Sequence, residues 1–164
     1  MKIAKLLAVL ASSVALAACS TGGVKRDESL GKLANPKVAS VRAYFSEEAK
    51  QVDNKAFNVG SLRDEVSRQL QAKNLLDAGS TQRMEVEVTR VYFRSTGAAV
   101  MLGAMAGNDE VTGNVYVKGA DGKLLSKLEV VVSSPSGGVL AQAGNRLDGM
   151  YALFAARVVR GLTE

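Results

Sequence analysis

The residue best placed to do chemistry is a cysteine. Cys19 is the one thiol in a chain of 164 residues, and it follows Leu16-Ala17-Ala18. Before it, Lys2 and Lys5 make a positive start, and Leu6 to Leu16 is apolar apart from Ser12 and Ser13. Ala17 and Ala18 are the small residues a signal peptidase needs beside its cut. The run falls short of the roughly 20 apolar residues that cross a bilayer, so residues 1–18 read as a signal peptide rather than a membrane span. A second pair of reactive groups is Glu85 and Glu87, two residues apart in RMEVEVTRVYF. Paired carboxylates do acid–base work when burial raises one of them. On a strand alternating with valines they read as a solvated face.

What the chain lacks narrows the chemistry further. It has no His and no Trp. Without His there is no Ser-His or Cys-His activation and no imidazole metal ligand. With no His and a single Cys, a zinc site would have to rest almost wholly on oxygen, which zinc disfavours. The sequence therefore predicts no metal, no cofactor and no enzymatic activity. Loss of residues 1–18 takes Lys2 and Lys5 with it, so the net charge falls from +5 to +3 over the remaining 146 residues. Acidic and basic residues are interspersed, which excludes a nucleic-acid stripe. With no second thiol, no intramolecular disulfide forms.

The elements that position these groups follow from periodicity. Residues 19–36 are polar and glycine-containing, and read as a tether or, alternatively, as an N-terminal arm docked on the domain. Lys37 to Phe45 reads as a strand through Val41, Ala43 and Phe45. Ser61 reads as the cap of a helix with Leu62, Val66 and Leu70 on one stripe and Asp64 facing Arg68, ending near Leu76. Arg83 to Phe93 is a strand with Met84, Val86 and Val88 on one face. Glu110 to Lys118 and Leu124 to Ser133 form a hairpin around Gly119-Ala120-Asp121-Gly122, where Asp-Gly accepts positive φ. A final helix opens near Asp148, with Leu147, Tyr151, Phe154, Val158 and Leu162 on one stripe and Arg157 and Arg160 facing its C-terminal dipole. The order β-α-β-β-β-α predicts an α+β two-layer sandwich: a mostly antiparallel sheet of about four strands, two helices on one face, the other face wetter. The division is 1–18 signal peptide, 19–36 Cys19 and a polar tether, 37–164 one globular domain.

Between two strands lies TGAAVMLGAMAG, residues 96–107, apolar and free of charge. It reads either as a hairpin tip folded onto the core or as a surface that touches lipid or a partner through Val100, Met101, Leu102 and Met105. It holds glycines but no Lys, which argues against a phosphate loop. Lys118, Lys123 and Lys127 cluster around one hairpin, and Asn108-Asp109-Glu110 carries oxygens suited to a hard cation; both also read as plain solvated segments.

Leu16-Ala17-Ala18-Cys19 resembles the lipobox of bacterial lipoproteins. That resemblance implies a mature protein starting at Cys19, diacylglycerol on the thiol and an acylated amine. Two or more chains make such an anchor stable where one does not. Ser20 in place of Asp implies the outer membrane. The lipobox, Leu75-Leu76-Asp77, Val86-Glu87-Val88-Thr89, the Gly/Ala segment and Val115 to Leu125 together resemble a group of small, uncharacterised Gram-negative envelope lipoproteins. The likeness covers residues 38–160 and implies a two-layer α+β domain with no catalytic residues to transfer. The expectation is an outer-membrane-anchored lipoprotein facing the periplasm, a non-enzymatic binding or assembly module with an envelope protein partner. The rival expectation is a ligand- or inhibitor-binding lipoprotein that works through its exposed sheet face.

Overall fold

A computed structural model describes residues 22–50, 56–95, 107–134 and 143–164. Its frame is one open five-stranded sheet in the order β1-β5-β4-β3-β2. The strands are β1 (Val24–Arg26), β2 (Ser40–Phe45), β3 (Arg83–Tyr92), β4 (Asp109–Lys118) and β5 (Leu124–Ser134). The helices are a one-turn α1 (Glu47–Lys50), α2 (Val59–Ala72) and α3 (Ala143–Thr163). The α+β class and the single helical layer follow the sequence pattern. All strand pairs are antiparallel except β2 with β3, which the α1–α2 crossover makes parallel.

The core lies between the sheet and the two long helices. Leu62, Val66 and Leu70 of α2 and Met150, Phe154, Val158 and Leu162 of α3 join Met84, Val86, Val88, Val115, Leu128 and Val130 in one buried cluster. At about 25 cal/mol per Å² of apolar burial, this cluster is the main term holding the layers together. A bulge falls between Val88 and Arg90 of β3. It turns Val91, rather than Arg90, toward the core. Gly113 sits opposite Val88, and its missing side chain admits Phe154. In the hairpin turn Gly122 has φ +79°, the conformation expected of Asp-Gly.

Several local expectations are corrected. The sheet has five strands, not four, because part of the stretch read as a tether is a strand. Val24 pairs with Val130, and Gly23 exchanges both backbone hydrogen bonds with Val131. The arm closes an otherwise open edge of β5, and its cations finish α3. Arg26 donates to the Gly161 carbonyl, and Lys32 Nζ to the Glu164 carbonyl at 2.5 Å. These satisfy helix-end acceptors at the negative pole. Arg157, expected there, donates instead to the Val131 carbonyl.

Second, α2 begins before Ser61. Asn58 caps it, its Oδ1 accepting from the Gly60 and Ser61 amides at 2.7 and 3.1 Å. It ends at Ala72, where Asn74 takes φ +56° and Leu75 N–H returns to the Leu70 carbonyl at 2.8 Å. Third, Asp64 pairs with Arg63, and Arg68 with Glu65, rather than Asp64 with Arg68.

Candidate functional site

The open sheet face carries an ordered polar cluster. The period of two puts Glu85 and Glu87 of β3 beside Tyr44 of β2 and Asn114, Tyr116 and Lys118 of β4, opposite the valine face. Glu85 accepts from Lys118 Nζ at 2.7 Å and from the Tyr44 hydroxyl at 3.5 Å. Glu87 accepts from the Tyr116 hydroxyl at 2.8 Å and from Asn114 Nδ2 at 3.2 Å. The carboxylates are thus divided between two sets of donors and do not form a proton-sharing dyad. Burial, the hydrogen bond to Glu87 and the charge of Glu87 push the Tyr116 hydroxyl up to about 12. Burial and then the charges of Glu85 and Glu87 also raise Tyr44. Both phenols are therefore proton-bearing donors at neutral pH.

Cations cover the rings of this face. Arg42 lies 5.4 Å from the Tyr44 ring centre and Lys127 5.9 Å from that of Tyr116. The three lysines lie around the β4–β5 hairpin as expected, each in its own setting: Lys118 pairs with Glu85, Lys127 covers Tyr116, and Lys123 sits exposed at the turn. At one edge of this face a shallow cleft of about 740 Å³ opens between β1, the following turn and β5, lined by Lys25, Glu28, Lys127 and Glu129 among others.

The other polar constellation is buried. Asp109, fully enclosed at the start of β4, accepts from Arg146 Nε at 2.8 Å and Nη2 at 2.5 Å. It also accepts from the Arg94 amide at 3.1 Å and Nε at 3.3 Å. Arg146 further donates to the Arg94 carbonyl at 3.1 Å and lies 5.9 Å from the Phe93 ring centre. Burial works to raise the Asp109 carboxyl, but the hydrogen bonds from Arg146 and Arg94 outweigh it and hold the group below its ordinary value. This clamp joins the end of β3, the start of β4 and the first turns of α3. It corrects the cation-site reading of Asn108-Asp109-Glu110. Asp109 points inward onto two guanidiniums, and Glu110 pairs with Arg90 at 3.5 Å. Among the described residues no group of three or more His, Cys, Asp or Glu could hold a metal ion.

Cys19 and the expected contact residues Val100, Met101, Leu102 and Met105 lie outside the described residues. The clamp that brackets residues 96–106 was missed in the sequence. Its signal was faint: Arg94 ends an apolar strand, and Arg146 opens an apolar stripe. Among the described residues no helix is long and apolar enough to cross a membrane, which leaves strands unaddressed.

Residues 18–143 match the family described as a domain of unknown function, DUF4410, and the chain belongs to that family. A solved structure described as a PelC dodecamer from Paraburkholderia phytofirmans is similar in fold. Its TM-score is 0.55 at 15% identity, over 87% of this chain and 100% of that one. A second dodecamer structure, of a point variant of PelC from the same organism, has a TM-score of 0.54 at 12% identity over the same shares. At such identities the likeness is one of fold. No curated protein matches the chain.

Proposed function

We propose that this DUF4410 member is a non-enzymatic binding or assembly module of the cell envelope, held at the periplasmic face of the outer membrane by lipid on Cys19. The observation that carries the reading is the buried Arg94–Asp109–Arg146 clamp. It joins Arg94 and Asp109, described residues on either side of the apolar segment 96–106, to one another and to α3. A fully enclosed ionic network is costly to build for stability alone. Here it makes a fixed base for a sequence whose apolar side chains suit contact. The dodecameric state of the PelC structures supports self-assembly as one form of that contact.

The test is in-cell photocrosslinking of the lipidated protein with the crosslinker at position 101, followed by mass spectrometry. A reproducible adduct, with another envelope protein or a second copy, supports the module. Cys19→Ser should lose membrane fractionation and change mobility; unchanged behaviour removes the anchor from the proposal.

A second reading rests on the ordered polar cluster of the open sheet face. Tyr44, Glu85, Glu87, Asn114, Tyr116 and Lys118 are held by mutual hydrogen bonds on a half-exposed surface. Such preorganisation suits a soluble polar ligand. A version lacking residues 1–19 would retain this binding, and Glu87→Gln would weaken it.

A further inference from the structure

The short reach of the anchor sets how the domain stands on its membrane. We infer that the end of the sheet where β1 begins rests on the lipid surface, with Tyr92 in the headgroup layer; this rests on the acylation of Cys19 proposed above. The chain is fixed in the sheet from its first described residues. Gly23 N–H and carbonyl both bond to Val131, at 3.1 and 3.0 Å. Gly22 has φ +131° and lies so close to the Val131 carbonyl and the Arg157 guanidinium that a Cβ there would collide with both. Three peptide steps separate Cys19 from Gly22, a span of at most about 11 Å. A domain so leashed cannot stand clear of the lipid.

The strand register says which part of it comes nearest. Gly23 is level with Val131, which pairs with Thr112, which pairs with Arg90. Beyond that level β3 runs on to Tyr92 and β5 to Ser134, about 7 and 10 Å further at ~3.3 Å per residue. Four peptide steps join Cys19 to Gly23, so Cys19 lies at most about 14 Å beyond that level. Tyr92 is then within about 7 Å of the depth of the acylated residue, and a headgroup layer is itself about 5–8 Å thick.

Tyr92 also has the right chemistry. Among the described residues it is the exposed large hydrophobic side chain, at 49%. A ring with a polar tip is what membrane interfaces favour. The opposite end of the sheet carries Arg83, Lys118, Asp121 and Lys123. The edge beside β1 carries Lys25, Asp27 and Glu28. Neither offers an apolar foot.

The native chain has no other cysteine than the acylated one, so a single introduced thiol reports its own position. Tyr92→Cys, Asn108→Cys and, at the far end, Asp121→Cys are labelled with a fluorophore in the full-length lipidated protein. Each is reconstituted in vesicles of phosphatidylethanolamine and phosphatidylglycerol containing phosphatidylcholine spin-labelled near the headgroup. Labels at 92 and 108 should be quenched severalfold more than the label at 121. A flexible Gly-Ser insert of about 20 residues after Ser20, spanning ~25 Å on average, should bring position 92 down to the level of 121. Equal quenching at both ends, or quenching at 92 that survives the insert, overturns the inference while leaving the anchor intact. A purified protein whose mass shows no acyl groups on Cys19 overturns the anchor as well.

Discussion

Asp109 and Arg146 form a two-point ion pair, Nε to Oδ2 at 2.8 Å and Nη2 to Oδ1 at 2.5 Å, 37 residues apart and closed to solvent. The pair ties the first turns of α3 to the start of β4, and Arg94 extends it to the end of β3. Both partners of a buried pair are needed once it exists, since removing one leaves a charge without its counter-ion. Asp109→Asn should therefore lower stability by about 3–5 kcal/mol. Urea unfolding followed by circular dichroism reads this directly. A loss near that of a surface substitution, below about 0.5 kcal/mol, would mean the pair is not closed in solution.

The same carboxylate sets an acid limit. Asp109 titrates below its ordinary value in the folded chain because the hydrogen bonds from Arg146 and Arg94 overcome the effect of burial. A depressed folded value gives stability that is fully present above the unfolded value of about 3.9 and is lost as pH falls through the folded one. Stability should hold through neutral pH and decline from about pH 4 downward. Asp27 and Asp77, each lowered first by hydrogen bonds, add to the same decline. Asp109→Asn should flatten this part of the curve; an acid limb of unchanged slope would assign the effect to other carboxylates.

Much of the fold was legible because its core obeys two simple periods. Met84, Val86 and Val88, and Val111 to Val117, point inward as alternation demands, and the stripe from Leu147 to Leu162 packs as a helix face. β1 was not legible. Val24-Lys25-Arg26 is too short and charged to announce a strand, and it forms one because β5 offers an open edge and α3 offers carbonyls to Arg26. Ser61 is a good capping residue beside the apolar stripe, but the helix starts a turn earlier at Asn58, whose backbone N–H is held by the distant Tyr151. The clamp was hidden for a similar reason. Arg94, Asp109 and Arg146 look like three unrelated charges until the strand register brings them together. The polar cluster was half visible, since alternation placed Glu85 and Glu87 outward but could not say that tyrosines from both neighbouring strands would meet them.

Tyr116 offers a spectroscopic test of that cluster. Its hydroxyl, raised to about 12 by burial and by its bond to Glu87, keeps its proton where an unfolded tyrosine at about 10 has lost it. A raised folded value gives stability that is present below pH ~10 and lost as pH climbs through ~12. In an ultraviolet titration of phenolate absorbance, the step missing from Tyr116→Phe should be centred near 12. In Glu87→Gln that step should move toward 10, because the carboxylate's charge and acceptor are weakened together. A missing step near 10 in Tyr116→Phe would show the hydroxyl free of Glu87.

Gly113 tests how closely the helical layer sits on the sheet. A Cβ at this position would lie 2.8 Å from the Glu87 carbonyl oxygen and 3.1 Å from Phe154 Cζ. The first neighbour is backbone and cannot swing away. Gly113→Ala should cost about 1–3 kcal/mol as overpacking. Gly149→Ala, where the added Cβ meets nothing within 4 Å, should be neutral or slightly stabilising in the helix. Thermal unfolding of the two variants side by side checks the contrast.

Asn58 is held through its backbone by Tyr151 and holds α2 through its side chain, and the two roles are separable. The Tyr151 hydroxyl accepts from the Asn58 backbone N–H at 2.8 Å, while the Asn58 side chain caps α2 through the Gly60 and Ser61 amides. Tyr151→Phe keeps the edge contact with Phe57, whose ring centre is 5.0 Å away, but strands the amide, and should cost about 1–2 kcal/mol. Asn58→Ala removes the cap but leaves the backbone donor, and should cost about 1 kcal/mol. Because the two substitutions delete different atoms' bonds, the double variant should lose the sum, with a coupling below about 0.5 kcal/mol. A larger coupling in the urea-unfolding cycle would mean that loss of the cap shifts the Asn58 backbone away from Tyr151, so that the entry to α2 is held in place by the cap rather than by α3.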